Sequence, residues 1–175
     1  MPILLTRIDD RLIHGQVVVG WAQALKISHI VVVNDEITGN DMQKFLFRMA
    51  TPTDINLSIL TVEEAAAKIN KREFDEDNTI ILVKAPSDIY RMIKAGGKVP
   101  EVNIGGMHFD NNKTQLFDAV FVDDADIAMF RELYDMGVEL EVRMVPTDAR
   151  KNIIRAIDEK FGKQKDKPGA AEGND

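Results

Sequence analysis

Ten consecutive residues near the amino terminus, Arg7-Ile8-Asp9-Asp10-Arg11-Leu12-Ile13-His14-Gly15-Gln16, hold two arginines, two aspartates and a histidine. Each type brings a definite capability. An imidazole whose one nitrogen donates to an aspartate keeps the other nitrogen free as a nucleophile. Arg11, and Arg7 with it, can present planar forks of donors to phosphate oxygens. Gly15 and Gln16 open a helix, whose unpaired N–H groups and positive dipole end favour a bound anion. Together these are the parts of a site at which His14 receives a phosphoryl group. Asp9 and Asp10 either orient His14 or pair with Arg7 and Arg11; one role of each kind is expected, and the spacing does not assign them. A histidine at a strand–helix junction is also a common structural hydrogen-bonder, and Asp-Asp-Arg a common solvated turn.

Other chemistries lack their parts. The chain has no cysteine, which excludes disulfides, zinc ribbons and thiol nucleophiles. Ser28, Ser58 and Ser87 stand in no Gly-x-Ser-x-Gly elbow, and neither a Walker A pattern nor a Gly-x-Gly-x-x-Gly follows the first strand. His14, His29 and His108 are not spaced as metal ligands. No cofactor and no metal are therefore expected. A formal charge of −7 disfavours nucleic acid and anionic lipid as general partners. With no apolar run of membrane-spanning length and no signal-peptide pattern, a cytoplasmic protein is expected.

The elements that must position the histidine segment follow from the pattern of the rest. At 175 residues, 45% hydrophobic and 29% charged, the chain suits one globular domain. Short Val/Ile/Leu runs predict strands over 3–7, 29–33, 56–61, 79–83, 102–104, 119–122 and 139–145, mostly buried on both faces. Amphipathic stretches predict helices over 15–25, 40–50, 62–70, 87–95, 125–136 and 148–161. Asn40, Ser87 and Thr147 or Asp148 are candidate caps, Asp123, Asp124 and Asp126 crowd the start of a further helix, and Gly96-Gly97 and Gly137 are stop signals. This alternation predicts an α/β fold: a single domain over 1–162 with a mostly parallel, open twisted sheet of about seven strands and helices on both faces. Residues 163–175, rich in turn formers and without apolar periodicity, are expected to be a disordered tail. In such sheets ligands bind at the carboxyl ends of the strands, where the segment 7–16 falls.

Other residues belong to the same rim. Asn34 and Asp35 follow the second strand, as a functional pair or as a capped turn. Gly105 and Gly106 end another strand and either shape the His14 pocket or make a tight turn. His108 follows them on the same rim, as a second candidate histidine able to face a partner or a substrate entrance. Trp21 is expected to pack in the core or at the rim. Lys84 and Arg48 are candidates for further positive charge near His14.

The run Arg7-Ile-Asp-Asp-Arg-Leu-Ile-His-Gly-Gln-Val17, with Trp21 after it, resembles the phosphorylation-site loop of IIB subunits in the mannose/sorbose family of the bacterial phosphoenolpyruvate-dependent sugar phosphotransferase system. The resemblance continues at Val33-Asn-Asp-Glu36, Asn103-Ile-Gly-Gly-Met107 and Gly137-Val-Glu-Leu-Glu-Val-Arg143, and so spans about residues 2–160. It implies that His14 carries the phosphoryl group on Nδ1 and that Arg11 helps to bind it. It also implies a relay, in which a separate IIA protein phosphorylates His14. The chain then docks on membrane subunits IIC and IID at the inner face of the membrane and passes the group to a sugar, as a protein-phosphohistidine–sugar phosphotransferase. The Met107-His108 pair is similar to N-acetylgalactosamine-type systems and leans toward an amino sugar; the adjoining Gly-Gly is similar to mannose and sorbose types. A homodimer is compatible with the fold.

Two other classes fit parts of the same rim. A non-catalytic phosphate- or phosphoprotein-binding α/β module would bind reversibly, without a covalent adduct. A phosphatase or mutase would need a second acid or base, which His108 or Asp35 would have to supply.

Overall fold

Consecutive β-branched residues have no polar side on which to lie, so a strand built from them must be covered on both faces. The computed structural model, which describes residues 2–165, meets that demand with a central sheet between two helical layers. Its strands are β1 (Ile3–Asp9), β2 (His29–Val33), β3 (Asn56–Leu60), β4 (Thr79–Val83), β5 (Glu101–Gly106), β6 (Thr114–Phe117), β7 (Val120–Val122), β8 (Glu139–Val142) and β9 (Lys151–Asn152). The α-helices are α1 (Asp35–Thr38), α2 (Asp41–Ala50), α3 (Val62–Asn70), α4 (Pro86–Lys94), α5 (Asp124–Asp135) and α6 (Ile153–Phe161), and a π-helix spans Gln16–Ala22.

Seven strands form the main sheet in the order β3-β2-β4-β1-β5-β8-β9. Every pairing from β3 to β8 is parallel, and only β9 runs antiparallel to its neighbour. The predicted α/β architecture is therefore observed. Side chains alternate between two apolar clusters. Val31, Val33, Ile81, Val83 and Ile104 point to the layer of α3–α6. Ile30, Val32, Ile80 and Leu82 point to the layer that holds Leu12, Val17, Trp21 and Ile37. β1 lies at the centre, flanked by β4 and β5, so the segment that follows it leaves the carboxyl edge where the strand order switches sides.

Several boundaries differ from the sequence reading, each for a local reason. The first strand runs on to Asp9, because Arg7 and Asp9 find buried partners inside the sheet. Residues 119–122 supply β7 of a separate antiparallel ribbon with β6 rather than a strand of the main sheet. The strand expected over 139–145 stops at Val142. The helix expected from 148 starts at Ile153, capped by Asn152. Asp148 instead closes a turn by accepting from the N–H groups of Met144 and Val145. Ser87 is not a cap: Pro86 occupies the first turn and Asp88 reaches back to the Ala85 N–H. Asn40 caps as expected, and of the three aspartates that crowd the start of α5 it is Asp123 that caps. The expected tail over 163–175 lies outside the described residues from 166 onward.

Gly105 and Gly106 are not a turn. Both are the last residues of β5, beside β1. A Cβ on Gly105 would sit 1.8 Å from Arg7 Cζ, so the missing side chain is the space that the guanidinium fills. Gly105→Ala is expected to destabilise the fold by about 3 kcal/mol by displacing that buried group, as read from urea denaturation. Gly15→Ala, whose added methyl meets nothing within 4 Å, is expected to stay within about 1 kcal/mol of wild type. Equal stability of the two variants would contradict this account of Gly105.

Candidate active site

The site is built upward from a charge inside the sheet. Arg7 is completely buried. Its Nη1 donates to Asn103 Oδ1 at 2.6 Å and to the Arg143 carbonyl at 2.9 Å. Its Nη2 donates to Asp9 Oδ2 at 3.0 Å and to the Met144 carbonyl at 3.2 Å. Arg7, expected at the phosphate, is thus a support beneath the site: both terminal nitrogens are engaged and none of its surface reaches solvent. The guanidinium lies 5.3 Å from the Trp21 ring centroid and that of Arg143 5.0 Å, so the indole packs against two cations. Trp21 Nε1 donates to the same Met144 carbonyl at 3.0 Å.

Asp9 joins this support to the histidine. Its Oδ2 accepts from Arg7 and also, at 2.8 Å, from His14 Nε2. Its Oδ1 accepts from the Arg11 backbone N–H at 3.2 Å, with Arg11 Nε at 3.5 Å. Burial by itself would raise the Asp9 carboxyl, but the His14 hydrogen bond and the Arg7 charge outweigh it and hold the group below the ordinary carboxylate range. Burial in turn lowers the Arg7 guanidinium against the opposing pull of Asp9. An ionised Asp9 can only accept, so the proton lies on His14 Nε2 and the lone pair on Nδ1. Nδ1 makes no hydrogen bond to the described residues and is not among the buried unpartnered atoms, which leaves it open to solvent.

A tight turn brings the ring back over Asp9. The Leu12 N–H donates to the Asp9 carbonyl at 2.9 Å, and Leu12 adopts a left-handed φ of 58° with its side chain sealed in the core. A bulky residue rarely holds that conformation, and burial of the leucine offsets the strain. After His14 the chain winds as a π-helix, whose N-terminal residue Gly15 is in helical conformation. The Val18 N–H donates to the His14 carbonyl, leaving the N–H groups of Gly15, Gln16 and Val17 without backbone partners among the described residues. Arg11, partly exposed, reaches over this end and donates from Nη2 to Gln16 Oε1 at 3.2 Å. Arg11 and Gln16 are thus joined across the residues that carry His14 and Gly15.

The two aspartates divide differently from the expectation. Asp9 both orients His14 and pairs with the arginines. Asp10 does neither: it accepts from the His108 backbone N–H at 2.7 Å and pairs with His108 Nδ1. His108 thus fastens the loop to the end of β5, together with the Asp10 N–H bond to the Gly106 carbonyl. Asn34 and Asp35, two strands away on the same rim, are occupied structurally. Asn34 caps α1 by accepting from the Ile37 N–H. Asp35 is held below the ordinary carboxylate range by the Val62 N–H and by Arg91. Lys84 follows β4, the neighbour of β1, whereas Arg48 lies in the last turn of α2. The sequence reading missed Glu141 and Arg143 as support: Glu141 is buried, holds Arg143 through both oxygens and accepts from Asn103. The available signal was charge at inward positions of otherwise apolar strands.

The chain is thus a doubly wound α/β domain that presents an oriented, solvent-facing histidine on the segment after its central strand. The comparisons place it further. The family model described as "PTS system sorbose subfamily IIB component" matches residues 3–168, and the chain belongs to that family. It is similar to the sorbose-specific EIIB component of Lacticaseibacillus casei, 38% identical over 164 residues, covering 94% of this chain and 100% of the relative. It is likewise 38% identical over 157 residues to the mannose-specific EIIAB component of Escherichia coli K12, covering 90% of this chain and 49% of that longer protein. Among solved structures it resembles the IIBSor domain of the sorbose permease from Klebsiella pneumoniae, with a TM-score of 0.85 at 36% identity over 91% and 98% of the two chains. IIB components of this system take part in phosphoryl transfer to sugars.

Asp9→Asn would leave the Arg7 charge sealed in without its counter-ion, and a loss of about 3 kcal/mol at pH 7 is expected in urea denaturation. Because the folded carboxyl is held below its unfolded value of about 3.9, the contribution of Asp9 is complete above that pH and lost as pH falls through the folded value. The stability gap between wild type and variant should narrow as pH falls below about 4. A gap that instead widened in acid would contradict the assignment.

Proposed function

We propose that this chain is a phosphocarrier in which His14 accepts a phosphoryl group from a phosphorylated IIA protein and delivers it to a sugar during uptake. The observation that carries this reading is the 2.8 Å bond from His14 Nε2 to the buried Asp9 carboxylate. The lone pair of Nδ1 attacks the phosphorus of the donor phosphohistidine; the new N–P bond forms as the donor's breaks. The ring becomes cationic, and Asp9 stabilises that charge through Nε2–H without taking the proton. The free N–H groups at Gly15 and Gln16 and the fork of Arg11 are placed to meet the phosphoryl oxygens. In the second half, a sugar hydroxyl attacks the phosphorus, the N–P bond breaks and returns its electron pair to Nδ1, and the hydroxyl proton passes to water.

The partners follow from this role: a phosphorylated IIA as donor, in keeping with the mannose-specific relative, whose name joins A and B in one longer chain, and the membrane subunits IIC and IID. Among the described residues no helix is long and apolar enough to cross a membrane, which suits peripheral docking from the cytoplasm. The sorbose- and mannose-specific relatives are equally similar to this chain, so identity ranks neither sugar above the other. The lean to an amino sugar rests on Met107-His108, and of that pair only His108 reaches the surface, Met107 being core. A phosphatase or mutase is less well supported, because Asp35 is tied to Arg91 and Val62, and His108 to Asp10. A purely reversible binding module leaves the orientation of Nδ1 without a use.

Incubation with phosphoenolpyruvate, the general phosphotransferase proteins and a mannose-family IIA, followed by intact-mass measurement, tests the reading. One acid-labile phosphoryl group is expected, absent from His14→Ala and retained in His108→Ala. Arg11→Ala is expected to slow acceptance by about 100-fold. No adduct with a IIA of proven activity would overturn the phosphocarrier reading in favour of reversible binding.

A further inference from the structure

α2 is built unlike the longer helices around it. α3, α4, α5 and α6 each bury two or three residues, whereas none of the ten residues of α2 is buried. Phe47 reaches the core from its inner side, as a partly buried residue. Its outer side presents Met42, Phe45, Leu46 and Met49, at 68%, 55%, 56% and 71% exposure. Their spacing of three, one and three residues makes one continuous stripe along the helix. A ten-residue helix is marginal in water on its own, and here the Asn40 cap secures one end while the stripe lacks cover.

We propose that this stripe is the contact by which two copies of this chain pair, with their α2 helices antiparallel about a two-fold axis passing between Phe45 and Leu46. The pattern is symmetric about that point: Met42 falls opposite Met49 of the other copy, and Phe45 opposite Leu46. This is the self-complementarity that a two-fold contact demands. Charge agrees with it. Asp41 and Arg48 precede the two ends of the stripe, seven residues apart and on the same flank. In an antiparallel pair equivalent flanks meet, so each Asp41 faces the other copy's Arg48; a parallel pair would set each against the opposite flank, where Gln43 and Ala50 carry no charge. Arg48 has no ion-pair partner among the described residues, and the Asp41 side chain is almost wholly exposed apart from a 3.5 Å contact with Lys44. The four side chains expose on the order of 100 Å² each, so a pair would cover about 800 Å² from the stripes and about 1,000 Å² with their flanks. That is the lower bound for a specific interface and corresponds to weak, reversible association in the micromolar range. The pairing is independent of the phosphocarrier reading, since none of these residues touches His14 or its supports.

Sedimentation equilibrium of the full chain, from about 1 μM to about 1 mM, tests the proposal. Wild type is expected to self-associate. Leu46→Glu, which brings two carboxylates together at the axis without touching the core, should weaken dimerisation at least tenfold and leave the circular dichroism and the rate of phosphoryl acceptance unchanged. Asp41→Arg and Arg48→Asp should each weaken it, and the two together should restore it. Three results would overturn the proposal: a wild type that stays monomeric across the range, a dimer indifferent to Leu46→Glu, or a Leu46→Glu chain that associates normally but needs more phospho-IIA for half-maximal rate. The last would assign the stripe to IIA.

Discussion

A guanidinium with no exposed surface at the heart of a sheet is the constraint from which the geometry of this site follows. Moving such a charge out of water costs several kcal/mol unless acceptors inside the protein offset it. The two terminal nitrogens of Arg7 are answered by Asn103, by Asp9 and by the carbonyls of Arg143 and Met144, while its Nε is buried without a hydrogen-bond partner among the described residues. Each answer fixes something else. Gly105 has no side chain because the guanidinium stands where a Cβ would be, and Trp21 closes the remaining side. The end of β8 and the segment after it turn their carbonyls inward, and Glu141 holds Arg143 and Asn103 in place behind them. The consequence just beneath the surface is a buried aspartate held by Arg7 and the Arg11 N–H and aimed at a histidine.

The chain pays for this with irregular backbone. Leu12 takes a positive φ, and the turn after β1 gives way to a π-helix rather than an α-helix. π-turns and left-handed residues are retained where surrounding contacts over-determine them. Here the contacts are the buried Leu12 side chain, the Leu12 N–H bond to Asp9, and Trp21 anchored on Met144. His14 is therefore carried on a loop whose two ends are fixed in the same core cluster, Leu12 before it and Val17 after. In the proposed phosphocarrier role, a histidine held this way would have little reorganisation left to make when a phosphoryl donor arrives.

The architecture was legible because buried parallel strands have a strong signature: uninterrupted Val and Ile runs, as in His29–Val33 and Thr79–Val83, separated by capped amphipathic stretches. The histidine segment was legible because its residue types are dense and its place at a strand end is dictated by topology. What sequence could not assign was which carboxylate does what. Asp9 and Asp10 are adjacent and chemically identical, and only the period of two in a strand, carried two residues further than the apolar run, turns one inward to Arg7 and the other out to His108. The same extension hid Arg7, which reads as a rim arginine until Asn103 and the carbonyls of residues 143 and 144, about a hundred or more positions away in the chain, are brought beneath it. Residues 119–122 misled for the opposite reason. An apolar run of that length suits a two-stranded ribbon as well as a central strand, and pairing partners are non-local.

The central claim is that Asp9, fixed by Arg7, keeps the proton on His14 Nε2 and so dictates that Nδ1 carries the phosphoryl group. Long-range ¹H–¹⁵N correlation spectra of the ¹⁵N-labelled chain, recorded before and after phosphorylation, read the state of each ring nitrogen directly. The account predicts a protonated Nε2 in both states and a phosphorus-coupled Nδ1 in the second. Phosphorylation at Nε2, or a free state with its proton on Nδ1, would contradict it.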